Sequence, residues 1–558
     1  MSVLEMLRLP PFSLDQRAID WVQDSFERLT LRERVSQIFV LLMMGKDEAT
    51  FKRIADLKPG GVTRGFTGDI AFERKVLSAM NDAVPVPLII TADLEGSRMS
   101  LPFGTQVLNP LGLAALDDLA QTEASSAILA REGRAMGVSW SFTPVVDINK
   151  AFRSAIVGTR SFGSDIDKIE RHAVTQMKIF QANGVAATAK HWPGEGYDDR
   201  DQHLVTTINP LSMEEWDATF GRLYRRMIAE GVMSIMSAHI ALPAYIRAKT
   251  GTESIEAYRP ASINRLLNTE LLRNELGFNG LIVSDAMDMA GLRSWCPRKE
   301  AMPQVIASGC DVILFSSAPE EDMEAVYQAV QSGAIEESRF NDAVMRMLGM
   351  KAKMGLFEKT DVLPPEEAVL AEVGSPKNRS LATYAINRSP TLVKDVQSLF
   401  PLSIEKHKRV LFVDGGIFHP LAFLAPKFSL PDLLRAEGFD VTMDHPDVEP
   451  NADDFDVMLY AFGDESLLTK SHIFIDWNKI GGGLDRAMTR YWHDIPTAII
   501  SFGHPYLLYD APRVPTYVNA YNTLDLTQKA VVECMMGRAE WNTSSPVDAF
   551  CGLPDARY

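Results

Sequence analysis

Cysteine and long apolar runs are both scarce in this chain. Only four of its 558 residues are cysteine, and none of them form a C-x-x-C pair. A disulfide framework and a zinc site of the usual spacing are therefore excluded, and we expect four inert thiols. No uncharged apolar stretch reaches about 18 residues, which argues against a membrane-spanning helix. The N-terminal residues lack a basic start followed by an apolar run, so we expect no signal peptide and a cytoplasmic location.

An excess of positive charge is missing as well. The formal net charge is −17, and a strongly acidic chain repels phosphate backbones and anionic lipid. We therefore expect neither nucleic acid nor a membrane surface as a partner. A length of 558 residues is too great for a single core, and this predicts two domains.

Eight short apolar runs predict eight β-strands in the first part of the chain. Most of these runs are continuously apolar, which is typical of parallel strands buried on both faces. Helical patterns such as Ala120–Met136 and Asp165–Asn183 lie between them. Eight βα units in about 300 residues favour a (β/α)8 TIM-type barrel over an open sheet. The predicted strands are Ser36–Leu42, Gly60–Gly65, Pro87–Ala92, Val138–Pro144, Val185–His191, Val232–His239, Gly280–Asp285 and Asp311–Phe315.

A second, smaller domain is predicted after the barrel. The barrel domain covers residues 1–356 and ends with a predicted helix, Glu337–Gly355. Residues 357–377 are acidic and contain three prolines, which indicates a linker. Residues 378–558 carry new strands separated by helices, which predicts an αβα sandwich. The predicted strands here are Val410–Val413, Val457–Phe462, Thr497–Phe502 and Tyr517–Ala520.

Polar side chains end several of the predicted barrel strands. Asp93 ends the third strand, Lys190 and His191 end the fifth, His239 ends the sixth and Asp285 ends the seventh. Any one of them could be an ordinary strand-end residue, and Asp is a common helix cap. Because the C-terminal ends of barrel strands meet at one mouth, however, the set predicts a site for a polar substrate.

Asp285 follows the buried run Leu281–Ser284 and admits two interpretations. A carboxylate at a buried strand end needs either partners or a chemical task. It could cap the helix that follows. Alternatively, it could be a nucleophile that forms a covalent glycosyl intermediate, as in retaining glycosidases.

The segment 190–203, KHWPGEGYDDRDQH, predicts a compact loop rich in ionisable groups. It lacks a close histidine pair or a cysteine, so we predict no metal there. Asp201 and His203 are two residues apart, which puts them on the same side of an extended loop. The carboxylate could then orient the imidazole for proton transfer, although spacing alone favours a solvated loop. Trp192 either stacks on a sugar face or packs the loop.

Several motifs in fixed order resemble a known family. Together with the segment 190–203, they resemble glycoside hydrolase family 3 in its β-N-acetylhexosaminidase branch, and the resemblance extends over nearly the whole barrel and into the second domain. The motifs are TADLEGSR (91–98), FTPVVDIN (142–149), GTRSFGSD (158–165), IVSDAMDM (282–289), SFGHPYLL (501–508) and VNAYN (518–522).

The resemblance implies a barrel followed by a sandwich domain, retaining hydrolysis of terminal β-linked N-acetylglucosamine, and no cofactor. It implies that Asp285 is the nucleophile and that His203, held by Asp201, is the acid/base. It also implies a small, muropeptide-like carbohydrate as substrate and a role in peptidoglycan recycling. It also implies that four residues bind the sugar hydroxyls, a role that suits charged hydrogen-bonding groups. These residues are Asp93, Arg160, Lys190 and His191.

Three of the positions that depart from the family pattern leave alternatives open. Leu101 replaces an arginine, Ala286 stands where an aspartate is common, and Glu195 replaces a histidine. Glu195 is therefore an alternative acid/base. Alternative functions are a β-glucosidase, which typically takes a glutamate acid/base from the second domain, and a phosphorylase, since a histidine does not repel phosphate. A catalytically silent sugar-binding protein is the alternative from another class.

Overall fold

A closed barrel forms the first part of the molecule. The computed structural model describes residues 3–358, 363–418, 425–466 and 468–558. Its eight parallel strands lie in the order β4-β3-β2-β1-β8-β7-β6-β5. Bridges from Trp140 to Ala186 and from Val145 to Lys190 then join β4 to β5, which confirms the predicted barrel. The strands are β1 (Phe39–Met43), β2 (Gly61–Arg64), β3 (Ile89–Ala92), β4 (Val138–Ser141), β5 (Thr188–Trp192), β6 (Ser234–Ser237), β7 (Leu281–Ala286) and β8 (Val312–Leu314).

The continuous apolar runs of the sequence coincide with these strands because both faces of each strand are covered. All four residues of β3 and all four of β4 are buried, for example. One predicted start is wrong. Ser36 and Gln37 belong to the helix Leu31–Gln37, which begins at a capping box between Thr30 and Glu33.

Helices surround the barrel. Asp165 caps the helix after β4 by accepting a hydrogen bond from the Lys168 N–H, as expected of an N-cap aspartate. The α-helices are Val3–Leu7, Gln16–Arg28, Leu31–Gln37, Glu48–Asp56, Ile70–Asp82, Pro110–Leu116, Leu119–Ala135, Ile166–Ala182, Met213–Trp216, Arg222–Ala229, Pro243–Thr250, Ala290–Arg293, Arg298–Ala307, Pro319–Gln331 and Glu337–Lys353, with π-helical turns at Asp217–Gly221 and Leu266–Glu275.

The second sheet has six strands in the order β9-β14-β13-β12-β10-β11, and all pairs are parallel except β9 with β14. Successive residues of β10, Leu411 and Phe412, enter separate apolar clusters on the two faces. Helices cover both faces, which confirms the predicted sandwich. The strands are β9 (Thr391–Asp395), β10 (Arg409–Ile417), β11 (Asp440–Met443), β12 (Val457–Gly463), β13 (Thr497–Ser501) and β14 (Thr516–Asn519), and the α-helices after the barrel are Glu366–Glu372, Pro376–Arg388, Ile404–His407, Leu430–Ala436, Trp477–Gly481, Leu484–Ala487 and Asp525–Met535.

The described part of the predicted linker is structured. Its helix Glu366–Glu372 packs on the barrel helix Leu119–Ala135, where Arg131 pairs with Glu372 at 2.8 Å. The next helix, Pro376–Arg388, buries three apolar side chains in the same cluster as the barrel core. The division at residues 356 and 378 stays a prediction, and residues 359–362 lie outside the described residues.

Two findings bear on the expectations for membrane-spanning helices and for the thiols. Within the described ranges, no helix has the length and apolar character needed to cross a bilayer. All four cysteines are free, and three of them are buried.

Candidate active site

A cavity of about 400 Å³ lies at the C-terminal ends of the barrel strands, where barrel active sites are found. The second domain contributes part of its wall through Phe418, Glu465, Leu468 and Thr523. Six of the seven predicted site residues border the cavity: Asp93, Arg160, Lys190, His191, His203 and Asp285. Asp201, the seventh, is buried and hydrogen-bonded to His203.

Asp285 stands near the end of β7 with 9% of its surface exposed. Its Oδ1 accepts a hydrogen bond from the Ala286 N–H at 2.7 Å. Burial by itself would raise the pKa of this carboxyl, but His191, His239, His203 and the Ala286 N–H outweigh it. The pKa therefore lies below its ordinary value, and Asp285 is held as a carboxylate, the form that a nucleophile needs.

Two expectations for the barrel mouth are wrong. Asp285 does not cap a helix, since the helix that follows, Ala290–Arg293, begins five residues later without a side-chain cap. His239 is fully buried and does not border the cavity. Its Nδ1 pairs with the Ser262 hydroxyl at 2.8 Å, and its Nε2 lies 2.9 Å from the Ala286 carbonyl oxygen. Burial lowers the pKa of His239, and the protein engages both of its ring nitrogens beneath the strand end.

Asp201 and His203 form a close pair on the loop after β5. Oδ1 of Asp201 accepts hydrogen bonds from the His203 main-chain N–H at 2.8 Å and from its Nδ1 at 2.7 Å. The Asp201 side chain has no exposed surface, whereas 23% of the His203 side chain is exposed. A carboxylate at Nδ1 fixes the ring orientation and leaves Nε2 as the nitrogen that can exchange a proton.

Four charged side chains make a network in another part of the wall. Arg160 donates from Nε and Nη2 to the two oxygens of Glu95, at 2.9 Å each. Lys190 Nζ lies 2.9 Å from Asp93 Oδ1 and 2.8 Å from Glu95 Oε1. Burial opposes the charge on Glu95, yet the two cations outweigh it and lower its pKa. Glu95 is not among the predicted site residues, although it lies two residues after Asp93 in the same motif.

His191 lies against two buried carboxyl groups, and the Asp147 carboxylate is its hydrogen-bonding partner. Asp147 Oδ2 lies 2.6 Å from His191 Nδ1, and Asp147 Oδ1 accepts the main-chain N–H groups of His191 and Glu195. The Gln202 amide donates to Glu195 Oε2 at 3.1 Å. Burial and the neighbouring Asp147 carboxylate raise the pKa of Glu195 well above its ordinary value. Asp147 was also missed, although it ends the apolar run of the motif FTPVVDIN.

The same three side chains are the candidate metal ligands. Ligand atoms of Asp147, His191 and Glu195 all lie within 4.8 Å of one another. Internal hydrogen bonds already occupy the Asp147 oxygens and one Glu195 oxygen. The absence of a metal stays a prediction.

Glu465 ties the second domain to the barrel at the cavity wall. Its Oε1 accepts hydrogen bonds from the Thr523 N–H at 3.0 Å, the Thr523 hydroxyl at 2.7 Å and the Ser97 hydroxyl at 3.2 Å. Its Oε2 accepts from the Asn109 amide at 3.3 Å. Local patterns gave no signal for this residue, because Ser97 and Asn109 lie more than 350 positions away in the chain and Thr523 lies 58 positions away.

Trp192 packs in the core and does not stack on a sugar. It is fully buried, with its ring 5.7 Å from Trp216 and 4.8 Å from Tyr224. Of the departures from the family pattern, Ala286 borders the cavity next to Asp285, whereas Leu101 is buried outside its wall.

These observations define a class: a (β/α)8-barrel protein whose cavity, at the mouth of the barrel, is bordered by charged side chains and by residues of a sandwich domain. Known proteins narrow the class further. The model of the glycosyl hydrolase family 3 N-terminal domain matches residues 30–350. A beta-N-acetylglucosaminidase/beta-glucosidase from Cellulomonas fimi is 35% identical over 564 residues, which is 98% of this chain and 99% of the relative. A beta-hexosaminidase from Stenotrophomonas maltophilia is 32% identical over 49% of this chain and 79% of the relative.

Solved structures agree with this result. The beta-glucoside phosphorylase BglX bound to 2FGlc is 33% identical, with a TM-score of 0.91 over 98% of this chain and all of that one. A family 3 beta-N-acetylglucosaminidase from Paenibacillus sp. shares the fold, with a TM-score of 0.77 and 23% identity over 93% of this chain and 99% of that one. The chain belongs to glycosyl hydrolase family 3 and is an enzyme of that family.

Proposed function

We propose that this enzyme transfers a terminal β-linked N-acetylglucosaminyl or glucosyl residue, with retention of configuration, through a covalent bond to Asp285. The observation that carries the proposal is that one cavity is bordered by the Asp285 carboxylate, by His203 of the dyad and by the charged network around Glu95. The relative from Cellulomonas fimi bears both the N-acetylglucosaminidase and the glucosidase name, which supports both sugars as candidates.

In the first step, Asp285 attacks the anomeric carbon while His203, protonated, donates its Nε2 proton to the departing glycosidic oxygen. In the second step, neutral His203 takes a proton from the acceptor, and the acceptor displaces Asp285 from the anomeric carbon. Two inversions give net retention. The lowered pKa of Asp285 favours this role because the nucleophile must be ionised.

The sugar would be held by Asp93, Arg160, Lys190 and His191. All four border the cavity, and three of them belong to the charged network. Charged donors and acceptors that are already fixed by one another suit a ligand with many hydroxyl groups and little apolar surface.

His203 is favoured over both glutamates as acid/base. Glu195 does not border the cavity, and it accepts a hydrogen bond from Gln202. Glu465 does border the cavity, but both of its oxygens accept hydrogen bonds from the protein. His203, by contrast, has an exposed fraction at the cavity and a carboxylate behind its Nδ1.

Phosphate is the second candidate acceptor. The structure that is 33% identical over nearly the whole chain is named a beta-glucoside phosphorylase. An imidazole acid/base does not repel an incoming phosphate as a carboxylate does, and the cavity wall also carries Arg98, Arg160 and Lys190. Phosphorolysis would use the same covalent intermediate.

The test compares initial rates on the aryl β-N-acetylglucosaminide and the aryl β-glucoside, each with and without phosphate. Faster turnover of the first in phosphate-free buffer supports the N-acetylhexosaminidase, and faster turnover of the second supports the glucosidase. A rate that rises with phosphate and yields a sugar 1-phosphate supports the phosphorylase. Absence of turnover under all conditions contradicts the proposal and favours the sugar-binding alternative.

A trapping experiment tests the covalent step. An activated 2-deoxy-2-fluoro β-glycoside should form a stable adduct that peptide mass spectrometry locates on Asp285. The Asp285→Asn variant is the matched control and should form none. A cytoplasmic location, a muropeptide-like substrate and a role in peptidoglycan recycling stay predictions from the family resemblance.

A further inference from the structure

A segment of the second domain crosses to the loop that carries the dyad. This crossing segment, Leu468–Ile473, follows β12. The Thr469 main-chain N–H donates to Asp201 Oδ2 at 2.8 Å, and His472 Nε2 lies 3.1 Å from Asp199. Main-chain hydrogen bonds from Ala155 to Ser471 and from Ile473 to Arg153 fix the segment on the barrel.

One of the two carboxylate oxygens of Asp201 depends on this segment for its hydrogen bond. The side chain is completely buried, so each carboxylate oxygen needs a donor. Oδ1 receives both N–H groups of His203. Within the described part of the chain, the donor to Oδ2 is the Thr469 N–H.

The backbone of the crossing segment adopts an unusual conformation to make this contact. Thr469 has a φ of +66° and Ser471 a φ of +55°. A β-branched residue rarely adopts the left-handed region, and such conformations persist where the surrounding structure fixes them. The main-chain hydrogen bonds at Ser471 and Ile473 supply that support, and the Thr469 N–H points at the Asp201 carboxylate.

We infer that the main-chain N–H of Thr469 is a positioning group for the acid/base dyad. Both side chains of the dyad belong to the barrel. The second domain nevertheless supplies the hydrogen-bond donor to Oδ2 of Asp201, the carboxylate that orients His203. This inference rests on the proposed function, since it assigns the N–H a role in the proton transfer of that reaction.

Loss of this hydrogen bond should affect one chemical step selectively. Without a donor at Oδ2, Asp201 is no longer fixed in the position that aligns His203 with the glycosidic oxygen. Departure of a weakly acidic phenol needs a proton from His203, whereas departure of a dinitrophenol does not. The loss should therefore grow as the leaving group becomes poorer.

The experiment replaces the amide at position 469 with an ester in the full-length enzyme, by incorporating the α-hydroxy analogue of threonine. The ester removes the N–H and keeps the side chain. We expect kcat/KM to fall about tenfold for the phenyl glycoside and less than about twofold for the dinitrophenyl glycoside. Thr469→Val is the matched control, because it keeps the N–H and the branched shape, and it should follow the unmodified enzyme on both substrates.

Three results would overturn the inference. An equal loss on both substrates would indicate a structural role, and no loss on either would indicate that the N–H has no role. The same selective loss in Thr469→Val would assign the effect to the hydroxyl. An unmodified enzyme that turns over neither glycoside contradicts the proposed function itself, so the two failures are distinguishable.

Discussion

Arg160 and Glu95 meet as a planar pair, with Nε and Nη2 of the guanidinium each 2.9 Å from one carboxylate oxygen. Neither residue is adjacent to the other in sequence, yet both are buried at the same mouth. The pair keeps two charges fixed inside the cavity wall, where Lys190 adds a third at 2.8 Å.

Glu95→Gln should lower both the stability of the folded protein and the rate of the reaction. The amide leaves Arg160 and Lys190 without their shared anion, and breaking a buried ion pair costs about 3 kcal/mol of unfolding free energy. Denaturant unfolding measures this loss, and kcat/KM should fall about tenfold or more. Asp24→Asn, on the exposed surface, is the control and should change neither. Unchanged stability in Glu95→Gln would mean that the network does not hold the wall.

His203→Ala should remove the proton transfer and leave the attack by Asp285 intact. General acid–base catalysis contributes roughly 10²–10⁴-fold, so kcat/KM on a phenyl glycoside should fall by that factor while a dinitrophenyl glycoside still forms the intermediate. Added azide should then restore turnover and give a β-glycosyl azide, because azide attacks without general base help. A variant that azide does not rescue, or that loses both substrates equally, would argue against this role.

Glu195→Gln separates the two candidate acids. Burial and Asp147 raise the pKa of Glu195 well above its ordinary value, which favours the protonated form, and an amide resembles that form in shape and charge. We expect Glu195→Gln to keep most of its kcat/KM and Glu195→Ala to lose more, since alanine removes the acceptor of Gln202. A loss of a hundredfold or more in Glu195→Gln would identify Glu195 as the acid/base instead.

Lys351 should make stability depend on pH. It is fully buried on the helix Glu337–Lys353, its Nζ donates to Gln37 at 2.7 Å, and burial lowers its pKa to about 7. Between pH 7 and the ordinary lysine pKa, the unfolded chain binds more protons than the folded one, so stability rises with pH. Measured against Lys351→Met, the unfolding free energy of the unmodified protein should increase by roughly 2 kcal/mol from pH 7 to pH 9. A constant difference would mean that Lys351 titrates normally.

The elements that sequence patterns predicted correctly are those that are buried on both faces. The barrel strands and the central strands of the second sheet are continuous apolar runs, and their positions agree with the structure to within a few residues. Two strands of the second sheet were missed, Thr391–Asp395 and Asp440–Met443. Both lie at sheet edges and carry mixed or exposed residues, so their sequence does not differ from that of a loop. The helix Glu366–Glu372 was missed because the prolines just before it read as a linker.

The groups of the candidate site also divide into those that the sequence could predict and those that it could not. The side chains carried by single motifs, such as Asp285 and the Asp201–His203 pair, could be found because each motif is local. Glu465 and the Thr469 N–H could not, since their partners come from the other domain. Every residue except proline carries a main-chain N–H, so no residue type in the sequence marks the one that donates to Asp201.

The helix Pro376–Arg388 links the unfolding of the barrel to that of the second domain. It belongs to the second part of the chain, but its apolar side chains enter the barrel's own cluster, and Asn378 on it donates to the buried Glu132 of the barrel. Neither part can therefore melt without exposing the apolar surface of the other. We expect the two domains to unfold together, and a barrel cut off at residue 356 would lose both part of its core and the Thr469 N–H that donates to Asp201.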